Sequence, residues 1–114
     1  MENIIYNELA IRGCKIDVGV VPVQEFDPQG RHHEKKLEID FVAYLGSKKY
    51  YIQSAFSMLD TAKEEQEKRP LLKVADSFRK LIIVRDNIGI RRDENGIATI
   101  GLRKFLLDPN SLEL

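Results

Sequence analysis

A chain of 114 residues, 43% hydrophobic and 32% charged, carries enough apolar material for one core and too little length for two domains. Eighteen Lys and Arg balance eighteen Asp and Glu, which excludes nucleic-acid binding through a global basic field and leaves only a local patch. No apolar run approaches the ~20 residues of a membrane span, residues 1–20 carry no signal-peptide pattern, and the lone Cys14 excludes an intrachain disulfide. A cytoplasmic, reducing setting without membrane contact is the expectation.

From Glu2 to Gly13 the chain predicts a helix, with apolar residues at 4, 5, 9 and 11 and Gly13 as its stop. A chain that enters an amphipathic helix directly after Met1 is expected to be a C-terminal piece of a longer protein. Residues 14–26 alternate and are β-branched, and Pro22 marks them as an edge or bulged strand. Asp27-Pro28-Gln29-Gly30 is a turn, and Arg31 to Lys36 read as a polar connection. Leu37 to Leu45 and Lys48 to Phe56 form a hairpin about Gly46-Ser47. Residues 61–67 are helical, with Asp60 or Thr61 as cap, and Pro70 is expected to break that helix into two pieces. Lys80 to Arg85 is a short apolar run, the pattern of a strand buried on both faces. A small hairpin turning at Asn95-Gly96, a strand over Ile97–Ile100 and a helix over Leu102–Leu107 complete a single α/β domain spanning 1–114. Its order is α-β-β-β-α-β-(β)-α, a mixed central sheet flanked by helices.

The chemistry excluded is informative. There is no Walker A loop and no nucleophile elbow, and His32-His33 lack a metal-spaced partner. Asp40, in Glu38-Ile39-Asp40-Phe41-Val42, sits inside an apolar strand, where an unpaired carboxylate costs several kcal/mol if buried. Strict alternation places Glu38, Asp40 and Val42 on one face and Ile39, Phe41 and Ala43 on the other. Glu2 shares a helical face with Ile5, Tyr6 and Leu9. Two inward acids, Glu2 and Asp40, are candidate ligands for one Mg²⁺. Arg31, Lys35 and Lys36 give the 31–36 segment a net charge of +2, and with Lys48 and Lys49 they form a candidate phosphate-facing patch. Lysines on a hairpin edge also serve simply to block aggregation. Glu64, Glu65 and Glu67 read as a solvated helix face.

A helical Glu, a strand carrying Ile-Asp and a neighbouring strand with an acid-x-Lys position resemble the PD-(D/E)xK nuclease-like core. The words Glu2-Asn3-Ile4-Ile5-Tyr6-Asn7-Glu8-Leu9, Glu38-Ile39-Asp40-Phe41-Val42-Ala43, Tyr51-Ile52-Gln53-Ser54-Ala55 and Arg69-Pro70-Leu71-Leu72 resemble the C-terminal domain, of unknown function, of prokaryotic AAA-type ATPases. The resemblance implies a restriction-endonuclease-like fold and an N-terminal P-loop ATPase partner. Its active members carry an acid and a Lys where this chain has Gln53 and Ala55, so Glu2, Asp40 and Gln53 make a degenerate catalytic set. Lys48, Lys49 or Lys63 would have to supply the missing amine. Three functions follow as expectations. The first is a non-catalytic or weakly active accessory domain contributing DNA or protein contacts. The others are a Mg²⁺-dependent DNA nuclease using Glu2, Asp40 and Gln53, and a protein interaction or dimerisation module.

Overall fold

A computed structural model describes residues 1–57 and 61–113. Its elements are α1 (Glu2–Ile11), β1 (Lys15–Phe26), β2 (His32–Leu45), β3 (Lys48–Ala55), α2 (Thr61–Leu72), β4 (Arg79–Val84), β5 (Ile90–Arg92), β6 (Ala98–Gly101) and α3 (Leu102–Leu107), followed by a 3-10 turn at Ser111–Glu113. The strands form one mixed sheet in the order β1-β2-β3-β4-β6-β5. β1, β2 and β3 run as an antiparallel meander, β4 is parallel to β3 and to β6, and β5 closes the far edge antiparallel to β6. The predicted mixed sheet between helices is what forms, with two short strands where the sequence suggested one.

Helices cover both faces, which is why β4 reads as an unbroken apolar run: Leu81, Ile82, Ile83 and Val84 are all fully buried. Ile5 and Leu9 of α1 and Phe105 of α3 pack on one face, against Phe41, Ala43, Ile52, Leu81 and Ile83. Leu71 of α2 packs on the other, with Ile39, Val42, Tyr51, Ile82 and Val84. Only half of the predicted α1 stripe is used, since Ile4 and Ile11 face outward at 47% and 80% exposure. Arg12 ties α1 to the C-terminal segment, donating to the carbonyls of Phe105 and Asp108 and to Ser111 Oγ, with its guanidinium over the Phe105 ring.

Four expectations need correction. Residues 32–36 are strand rather than connection: the Asp27–Gly30 turn, in which Asp27 Oδ1 accepts the N–H groups of Gln29 and Arg31, sets β2 pairing with β1 from Phe26↔His32 onward. Ladder hydrogen bonds thus override the polar composition. Second, α2 runs through Pro70 to Leu72. The missing N–H falls in the last turn, and burial of Pro70 and Leu71 offsets the lost bond. The expected cap at Asp60 lies outside the described residues. Third, Glu67 is half-buried, not solvated. Fourth, strict alternation fails in β2. Asp17 pairs with Val42 but Gly19 pairs with Ile39, so Asp40 and Phe41 together stand opposite Val18. That bulge reverses the face on which side chains fall. Ile39 therefore joins Val42 beneath α2, while Phe41 and Ala43 face α1.

Pro22 behaves as predicted, since β1 is an edge strand. Beyond the bulge, β1 and β2 continue as a two-stranded arm, and the longest dimension of the molecule is 50 Å.

Candidate functional site

The antiparallel ladder between β2 and β3 ends at Phe41↔Ile52. The next pairs would have been Asp40 with Gln53 and Ile39 with Ser54, but β2 has bulged away toward β1 while β3 continues beside β4. A fork opens in the sheet, and its exposed backbone groups need partners. Two side chains supply them reciprocally. Gln53 Oε1 accepts the Asp40 backbone N–H at 2.8 Å, and Asp40 Oδ2 accepts the Ser54 backbone N–H at 2.8 Å and the Ser54 hydroxyl at 3.1 Å. The amide nitrogen of Gln53 donates to the Glu67 carbonyl of α2 at 3.3 Å, so a side chain only 4% exposed has both ends bonded.

Around the fork the structure gathers the two predicted acids. Glu2, at the start of α1, reaches Ser54 Oγ at 3.3 Å, so one hydroxyl lies within reach of both the Glu2 and Asp40 carboxylates. Glu2 itself is exposed, at the rim of a notch of about 360 Å³ lined by Met1, Asn3, Ser54 and Phe56. A third acid, Glu67, arrives from α2. Burial holds its carboxyl above the usual range, Asp40 and Glu2 add to the rise, and Lys63 opposes it. Sequence reasoning missed Glu67 because it sits within an acidic run, although its i+4 spacing from Lys63 places the two on one helical face.

The other candidates lie elsewhere. Lys48 pairs with Glu113 at 3.2 Å, and Lys49 Nζ lies over the rings of Tyr44 and Tyr51, both at the opposite end of β3. Neither replaces the missing amine. Ala55 packs into the core under α2. Arg31, Lys35 and Lys36 belong to the arm, and Lys36 is nine residues, or about 30 Å, from Leu45 at the end of β2, which pairs with Lys48 of β3. The five cations therefore do not form one patch. Lys35 and Lys36 point to opposite faces of the arm, opposite Val23 and Pro22 respectively. The arm from 19 to 39 carries three cations against four acids. His32 packs on the Phe26 ring and His33 approaches Glu25 at 3.8 Å. Arg69, which had no role in the sequence, bonds Glu25 and straps α2 to the arm.

The donor set does not fit the Mg²⁺ site that the resemblance implies. Mg²⁺ takes oxygen ligands in near-octahedral geometry, whereas the Gln53 carbonyl is turned onto the backbone and one Asp40 oxygen already accepts two bonds. Among the described residues no three His, Cys, Asp or Glu side chains gather as a metal site. No helix of the described residues is long and apolar enough to cross a membrane. Comparison with protein-family models, characterised proteins and solved structures finds no match to this chain.

Proposed function

We propose that this chain is a nuclease-like domain without efficient phosphodiester hydrolysis, acting as an accessory part of a P-loop ATPase through DNA or protein contacts. Support for the nuclease-like reading comes from a mixed sheet between helices, with Glu2 on α1, Asp40 in β2 and Gln53 in the adjacent β3. The single observation that carries the loss of hydrolysis is the double engagement of Gln53. An acid at this position would accept the Asp40 N–H but would have no donor for the Glu67 carbonyl. The residue that should offer a ligand is instead part of the scaffold, and Asp40 is equally committed to Ser54. The four acids of the arm favour protein contacts over DNA there.

A weakly active nuclease is the second reading, favoured by the electrostatic coupling of Glu67 to Asp40, Glu2 and Lys63. The test is incubation of linear, supercoiled and junction DNA with millimolar Mg²⁺ or Mn²⁺. The expected outcome is uncut DNA. Cleavage that persists through purification and disappears in Asp40→Ala would overturn the proposal in favour of the second reading. A parent reading frame with no P-loop ATPase ahead of Glu2 would remove the attachment half alone.

A further inference from the structure

α2 ends at Leu72 and covers only part of its sheet face. Between β1 and the 73–75 turn this leaves a groove of about 590 Å³, within the size range of small-molecule sites, and none of Glu2, Asp40, Gln53, Ser54 and Glu67 lines it. Val21, Val42 and Val74 contribute apolar surface, and Tyr44, Lys49, Lys73 and Asp17 contribute polar groups. The cations are the unusual part. Tyr51 fixes Lys49: its hydroxyl donates to Asp76, while its oxygen faces the Lys49 ammonium as an acceptor, which holds the Lys49 pKa up. Lys49 Nζ lies 5.5 Å from the Tyr44 ring centroid and 4.9 Å from that of Tyr51. Among the described residues neither Lys49 nor Lys73 has a carboxylate within 4 Å, and the Tyr44 hydroxyl has no hydrogen-bond partner.

We infer that this groove binds a small ligand with a flat apolar body and one anionic group, a phosphate or a carboxylate. The apolar residues take the flat body by burial, and the two ammonium groups with the Tyr44 hydroxyl take the anion through charge-assisted hydrogen bonds. Asp17 accepts a hydroxyl or amine of the ligand and disfavours a second anionic group.

The test is amide-resolved NMR titration of the full chain with four probes. Adenosine 5′-monophosphate and indole-3-acetate carry both features with different anions; adenosine carries the flat body alone and inorganic phosphate the charge alone. The expected result is saturable shifts at Val21, Val42, Lys49 and Val74 with at least one flat anion, at least tenfold tighter than with adenosine or phosphate. Which flat anion binds distinguishes phosphate from carboxylate as the recognised group. Lys73→Gln, at an exposed position that leaves the core intact, should weaken that binding about tenfold. Val74→Trp should abolish it by filling the groove. Absence of shifts with both flat anions at millimolar concentration, equal affinity for inorganic phosphate, or unchanged binding in Lys73→Gln would each overturn the inference.

Discussion

The two halves of β2 contrast within one continuous strand. Residues 41–43 lie between helices on both faces and are buried, whereas residues 32–36, paired just as regularly with β1, are exposed throughout. Backbone pairing alone therefore does not make a core; what differs is whether a helix closes the face. The bulge at Asp40-Phe41 separates the two regimes, and the same irregularity opens the fork that carries the candidate site. Stability and polar chemistry are thus partitioned at one residue step.

The widest test of that contrast compares Leu81→Ala, at a fully buried position, with Val20→Ala, at an arm position 54% exposed. The first should cost about 2–5 kcal/mol by leaving a cavity, and the second should stay within about 0.5 kcal/mol. Denaturant titration measures both. Comparable losses would mean that the arm is buried against something in solution and that the contrast fails.

A smaller effect probes the boundary. A Cβ built on Gly19 would lie 2.8 Å from Val42 Cγ2 and 3.0 Å from Ile39 Cβ, because β1 closes tightly over the reversed β2 face. Gly19→Ala should cost about 1–3 kcal/mol through overpacking. An unchanged midpoint would show that the two strands can separate there without penalty.

The smallest effect concerns charge at the fork. Burial, reinforced by Asp40 and Glu2, outweighs Lys63 and holds the Glu67 carboxyl above its ordinary range. The folded state then binds this proton more tightly than the unfolded chain. The associated stability is complete below the ordinary carboxylate range and is lost as pH rises through the folded value. Glu67→Gln should raise the melting temperature at pH 7 and change it little near pH 3. An equal shift at both pH values would trace the effect to packing instead of ionisation.

Legibility followed the range of the interaction. Helix α3 coincides with the predicted Leu102–Leu107 span, and Gly46, at φ 62°, with Ser47 makes the two-residue hairpin turn that local chemistry demands. Gly96, at φ 80°, likewise turns the β5–β6 hairpin where Asn95-Gly96 was read. Glu2 and Asp40 were legible as acids out of place, and they do meet, at Ser54. Ser54 and Glu67 were not legible as their partners, because hydroxyls in strands and acids in charged helices are ordinary.

The sequence by itself determined the punctuation of this protein, its apolar periods and the departures at Gln53 and Ala55, because each is a local property of turn chemistry, side-chain spacing or residue type. Only the tertiary structure decided the reversed phase of β2, the continuation of α2 through Pro70 and the capture of Gln53 between Asp40 and Glu67. A one-residue bulge leaves no compositional mark, yet it moves every later side chain to the opposite face. Where Gln53 points depends on which backbone groups that bulge leaves without partners, and no reading of residues one at a time contains that information.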